Sequence, residues 1–159
     1  MLLKFAHLLF TATLFFECSG EPIEGQRLVA DVIMNRAVIM SINKDIPYDL
    51  ALVKVMYAPF QFSCWDSKHL NLNTVMEIRE SGGTILLSTL SNIAEKRIDR
   101  GEAMVWEDHL DSAESYTKAT NYHRDDIHPA WATADCMLPV KHIGHHYFYK
   151  DINEWRKIK

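Results

Sequence analysis

Two acidic side chains stand close together early in the chain, Glu17 and Glu21. Glu17 follows Phe15 and Phe16 at the end of an apolar run. A carboxyl set against apolar surface is favoured in its neutral form, because burial disfavours charge. A neutral carboxyl can protonate the leaving oxygen of a glycosidic bond, so Glu17 is a candidate for sugar-bond cleavage. Position alone favours a plainer role, since a glutamate at a helix end is usually just solvated. Glu21 could complete an acid and nucleophile pair, as in retaining glycosidases, where the two carboxyls stand about 5 Å apart. Ser19 and Gly20 put a turn between them, so their separation cannot be read from spacing. Support of the positive end of a following helix is the more ordinary role for Glu21.

Other candidates lie further along. Gln61, Phe62 and Ser63 set an amide and a hydroxyl beside an aromatic ring. Sugars are held this way, ring faces on aromatics and hydroxyls on polar groups. A packed loop is the competing reading. His142, His145 and His146 form an H-x-x-H-H run. If that run is a strand, His145 and His146 point to opposite faces, so no metal site is expected. Cys64 with a histidine would make a cysteine nucleophile of the peptidase or amidase kind. A cysteine in an aromatic loop is more commonly a packed thiol.

The elements that must carry these groups follow from periodicity. Phe5 to Phe16 is too short to span a membrane, which takes about 20 apolar residues. It has the length of a signal-peptide core, but His7 interrupts it and Phe16–Glu17 makes a poor cleavage site. Leu3, Ala6, Leu9, Phe10 and Leu14 recur at helical spacing, so a mature first helix ending near Ser19–Gly20 is expected. Cleavage there would remove Glu17. A second helix follows, with Pro22 in its first turn, a stripe of Leu28, Val29, Val32 and Ile33, and Asn35–Arg36 near its end. Pro47 opens a helix over Tyr48–Tyr57 with Leu50, Val53 and Tyr57 on one face, and Pro59 stops it. Phe60–Asn73 reads as a loop and Thr84–Arg100 as a helix. Ala119–His123 and His145–Lys150 read as two strands of a small antiparallel sheet, joined by a loop with Pro129, Trp131 and Pro139.

The whole is α+β, and 159 residues without repeats or linkers fit one domain. The net charge of −4 gives no sign of a nucleic-acid partner. Cys18, Cys64 and Cys136 are an odd set and too few for a disulfide scaffold. Free thiols are preferred, with a Cys64–Cys136 bridge the lesser reading.

Four blocks taken together resemble the SleB-type cell-wall hydrolases, the spore cortex-lytic family with phage members. They are ECSGEPIEGQRLVADVIMNR (Glu17 to Arg36), QFSCW (Gln61 to Trp65), NYHRDDIHPAW (Asn121 to Trp131) and HIGHHYFY (His142 to Tyr149). The first and last carry most of the specificity. Cys18 and Ser19 depart from the alanine and arginine common there, and Trp65 to about Ser81 matches nothing in the pattern.

The resemblance implies a lysozyme-like, mostly helical single catalytic domain over residues 1–159, with a small antiparallel β element near the C-terminus. It implies cleavage of peptidoglycan glycan strands between N-acetylmuramic acid and N-acetylglucosamine by lytic transglycosylation. Glu17 falls on the position of the family's single catalytic glutamate. Glu21, Gln61, Ser63, Asn121, Tyr122 and His123 are the expected substrate-binding residues. No metal or organic cofactor is implied, and no nucleic acid or membrane span. A monomer acting on the cell wall is expected, in the periplasm or outside the cell. A phage endolysin, made in the host cytoplasm and released at lysis, fits a catalytic block that starts near Met1. A hydrolytic muramidase, with Glu21 or Asp66 assisting Glu17, is the first alternative. A non-catalytic peptidoglycan-binding or lysis-regulating protein is the second.

Overall fold

A computed structural model describes residues 2–18, 20–58, 62 and 117–158 of the chain. Helix α1 spans Leu2–Cys18, so the apolar N-terminal run is helical to its end. Of the residues that recur at helical spacing, Ala6, Leu9, Phe10 and Leu14 are fully buried. They pack with α2 (Ile23–Lys44) and α3 (Tyr48–Met56) in one core. No described helix is long and apolar enough to cross a membrane.

Pro22 precedes α2 at its N-cap, where a missing N–H costs nothing. The stripe of Leu28, Val29, Val32 and Ile33 is buried as expected. The helix does not end near Arg36. It continues to Lys44 because residues 37–44 contain no glycine or proline and Ala37 and Ile39 keep its apolar stripe going. Asp45 then turns the chain with a left-handed φ of 49°. In α3 the buried residues are Ala51, Leu52, Val55 and Met56, whereas Leu50 and Val53 are half-buried. The expected face was displaced because α3 lies against both α1 and α2, and two neighbours bury a different arc than one.

Three strands form the sheet: β1 (Asn121–Arg124), β2 (Met137–Ile143) and β3 (His146–Asp151). The order is β1-β3-β2, antiparallel throughout. β1 and β3 match the two expected strands. β2 lies where a loop was expected. Pro139 hid it, since proline has no N–H for a ladder. An edge strand tolerates this, and the register shifts between Pro139 and Lys141. A 3-10 turn, Ala130–Thr133, follows Pro129, and a short helix α4, Ile152–Arg156, is capped by the Asp151 carboxylate. The expected loop at Phe60–Asn73 (Phe62 excepted) and helix at Thr84–Arg100 lie outside the described residues. The described residues are thus α+β, helices followed by a small antiparallel sheet near the C-terminus.

Polar side chains on the inner face of α2 fasten the sheet to the helices. Asn35 and Asp31, one turn apart, are both buried. The Asn35 amide donates to the Thr117 and Ala119 carbonyls at 3.0 and 2.7 Å. Asp31 accepts from the Thr117 N–H at 2.8 Å. These bonds fix the segment that leads into β1, and Phe148 of β3 closes the core from the sheet side. Asn35→Ala leaves buried carbonyls without their donor, so it is expected to lower stability by about 1–3 kcal/mol. A urea titration followed by circular dichroism checks this, and a midpoint equal to the parent's contradicts it.

Candidate active site

The site is built where α1 ends and α2 begins. Glu17 occupies the last turn of α1 and is half-exposed. Glu21 sits in the following turn, where its N–H donates to the Cys18 carbonyl at 2.9 Å. Gln26, almost fully buried in α2, reaches back and donates from Nε2 to the Glu21 carbonyl at 2.8 Å. The E-P-x-E-G-Q run is therefore a fixed corner.

The β2–β3 hairpin lies directly on that corner. Glu21 Oε2 accepts from the His145 backbone N–H at 2.9 Å. Gly144 has φ +56°, and a Cβ there would meet Glu21 Oε2 at 1.9 Å. Only glycine gives both the left-handed turn and the space for the carboxylate. A Cβ on Gly25 already meets Ile143 Cγ2 at 3.3 Å in this arrangement. Lys141 of β2 and Glu24 of α2 add an exposed ion pair. A second clasp joins the hairpin turn to the end of β1. His145 Nδ1 and Asp125 Oδ2 are 3.0 Å apart, and Asp125 raises the His145 pKa.

His146 follows as the first residue of β3. Its side chain is 4% exposed, and Nδ1 lies 4.0 Å from Glu21 Oε1 without a hydrogen bond. Its ring meets that of Tyr122 edge-on, centroids 5.0 Å apart. Phe148 supports Tyr122 from the next position on the same face, at 5.8 Å. Held this way, Tyr122 donates from its hydroxyl to Glu17 Oε2 at 2.9 Å. Glu21, His146, Tyr122 and Glu17 thus follow one another from the hairpin turn to the end of α1.

Burial lowers the His146 pKa, while Glu21 and Glu17 pull it up and Arg124 and His145 push it further down. The neutral imidazole is the form that the fold favours. Burial raises the Cys18 thiol well above its ordinary value, with Glu17 and then Glu21 adding to the effect. That thiol, which donates to the Leu14 carbonyl at 3.1 Å, is held protonated and is no nucleophile. Cys136 is a half-buried free thiol. Cys64 lies outside the described residues.

The sheet divides the residues that the sequence grouped as substrate-binding. Tyr122 faces Glu17. Asn121 and His123 flank it in β1 and belong to the other face. His123 is 9% exposed, stacks with Tyr147 and Tyr149, and its Nε2 lies 3.1 Å from the Tyr149 hydroxyl. Asn121 lines a cavity of about 340 Å³ together with Arg36 of α2. Glu21 is near Glu17 in sequence, but its side chain is 8% exposed and committed to the hairpin. Gln61 and Ser63 lie outside the described residues. His145 and His146 do diverge, with side chains 65% and 4% exposed. Among the described residues no group of three histidine, cysteine or acidic side chains converges to hold a metal ion.

Gly144, His146 and Gln26 were missed as site-builders. Their signal was present in the blocks EGQ and IGHH, but a sequence does not show that these two blocks touch.

The family model for the Cell Wall Hydrolase family matches residues 20–149. The chain belongs to the cell wall hydrolase family, and its class of function is the degradation of peptidoglycan. The match begins at Gly20, just after Glu17, and includes Glu21, Tyr122, Gly144 and His146. No curated protein and no solved structure matches the chain.

Because folding lowers the His146 pKa, the unfolded chain takes up this proton first as pH falls. The contribution to stability is complete above the ordinary histidine value of 6.5 and is lost as pH falls through it toward the lower folded value. His146→Phe keeps the packing against Tyr122 and removes the titration. Urea midpoints at about pH 7.5 and 5.5 are expected to differ less in this variant than in the parent. Equal losses in the two proteins would refute the assignment.

Proposed function

We propose that this chain is a lytic transglycosylase that cleaves glycan strands between N-acetylmuramic acid and N-acetylglucosamine. Glu17 serves as general acid and then as general base. The observation that carries the reading is the contrast between the two carboxyls. Glu17 is half-exposed and aligned by Tyr122, whereas Glu21 is turned inward onto the His145 N–H. A retaining hydrolase needs a second carboxylate that faces the sugar. Glu21 is not placed for that role, which favours a mechanism with a single carboxyl.

In this mechanism the Glu17 carboxyl gives its proton to the glycosidic oxygen, and the bond from that oxygen to the muramic anomeric carbon breaks. The resulting carboxylate takes the proton of the muramic C6 hydroxyl. The C6 oxygen bonds to the anomeric carbon, giving an anhydro-muramic end, and Glu17 is protonated again. No water is consumed. The Tyr122 hydroxyl holds one carboxyl oxygen in place through both steps. We place the whole of residues 1–159 in one lysozyme-like catalytic domain that acts as a monomer on the cell wall.

The test is mass spectrometry of soluble products from purified peptidoglycan. Anhydro-muropeptides are expected from the parent, and Glu17→Gln is expected to reduce their rate of formation by roughly 10²–10⁴-fold. Reducing-end products that vanish in the variant would make the enzyme a hydrolase. Equal product from both proteins would remove Glu17 from the mechanism.

Tyr122→Phe removes the hydrogen bond that orients one Glu17 carboxyl oxygen. The expected result is a kcat lower by about tenfold or more with KM little changed. An unchanged kcat in a folded Tyr122→Phe protein would show that Tyr122 does not act through Glu17.

A further inference from the structure

A cavity beside β1, against the C-terminal half of α2, combines apolar side chains such as Ile39, Met40 and Val55 with charged and amide groups. Arg36, Asn43 and Lys44 of α2 form one wall, and Asn121, Asp151 and Glu154 form the other. Both acids are already engaged. Asp151 accepts from the Asn153 and Glu154 N–H groups as the cap of α4. Glu154 pairs with Lys157. The two cations are not engaged in this way: among the described residues neither Arg36 nor Lys44 forms an ion pair or hydrogen bond through its side chain.

Arg36 is the decisive one. It is half-buried in the middle of α2, and burial pushes its guanidinium down from the ordinary value, with Tyr122 and Glu154 pulling it back up. A half-buried guanidinium with no hydrogen-bond acceptor among the described residues is costly, Glu154 offsets that only in part, and an anion in the cavity recovers the rest. The planar guanidinium fork matches a carboxylate in particular. Asn43 and Asn121 supply amide donors and acceptors beside it, suited to peptide or acetamido groups. The cavity is also adjacent to the chemistry, since Asn121 neighbours Tyr122, which binds Glu17.

We infer that this cavity is a carboxylate-binding subsite for the glycan strand's muramic substituent, with Arg36 as the anchoring residue and Lys44 as a secondary cation. The inference rests on the proposed peptidoglycan cleavage. The carboxylate has two sources in that polymer: the peptide stem, or the lactyl group exposed once the stem has been removed.

The experiment measures binding in a Glu17→Gln background, so that no turnover occurs. The probes are soluble glycan strands with intact stems and the same strands stripped of stems by an amidase. Adding Arg36→Met is expected to weaken binding of one probe about tenfold, with Lys44→Ala giving a smaller loss. Arg36→Lys, which keeps the charge and the fold of α2, is expected to restore part of it. A loss confined to intact strands identifies the stem carboxylate as the ligand, and a loss confined to stripped strands identifies the lactyl group. Unchanged affinity for both probes in an Arg36→Met protein with a parental circular dichroism spectrum overturns the inference. Cleavage by the protein with native Glu17 is measured separately. Product formation with unchanged Arg36→Met binding sinks this inference alone. A parent that neither binds nor cleaves sinks both readings.

Discussion

The arrangement of the site depends on one hydrogen bond, from the His145 N–H to the Glu21 carboxylate. It joins the corner between α1 and α2 to the turn between β2 and β3, two segments far apart in the chain. The carboxylate reaches that turn only because Gly144 has no side chain and takes a left-handed φ. Gln26 holds the corner rigid from below by binding the Glu21 carbonyl. With the hairpin seated, His146 is buried against the corner and Tyr122 against His146, and the tyrosine hydroxyl arrives at Glu17. Each step positions the next.

Two glutamates four residues apart thereby acquire different work from their surroundings. Glu21 is a buried structural acceptor in contact distance of a neutral imidazole. Glu17 keeps access to solvent and has one carboxyl oxygen fixed by a phenol. A carboxyl that must gain and lose a proton within one turnover needs a stable orientation and an open side. In the proposed mechanism the same chemistry at Glu21 would first have to break the hairpin contact to His145.

Much of this was legible in the sequence because helical periodicity is local. α1, the start of α2 and the paired strands β1 and β3 were readable from residues close together in the chain. The misses have particular causes. The continuation of α2 past Arg36 was obscured by the polar pair Asn35–Arg36, where Asn35 is in fact a buried clamp on the Thr117–Ala119 segment. β2 was masked by Pro139, which an edge position accommodates. The role of Glu21 could not be read, because its partner is 124 residues away and is a backbone N–H that no residue type advertises. Glu17 was singled out by the motif around it, not by its spacing from any second acid, and its hydrogen bond from Tyr122, 105 residues away, could not be read.

The period-two alternation of β1 explains why neighbouring residues of one motif serve separate places. In Asn121-Tyr122-His123 the middle side chain reaches Glu17, Asn121 borders the cavity beside α2, and His123 stacks on Tyr147 and Tyr149. On the inner face Tyr122, His146 and Phe148 form the support for Glu17. On the outer face His142 stacks flat on Tyr147 at 3.9 Å, and His123 stacks with Tyr147 and Tyr149 at 5.4 Å each. These rings spend their faces on one another, and Trp131 packs edge-on against His123 and Tyr149, so they stiffen the sheet more readily than they offer a platform for a sugar. A rigid outer face has a use: it keeps β1 flat against β3, and the position of Tyr122 relative to Glu17 is only as fixed as that pairing.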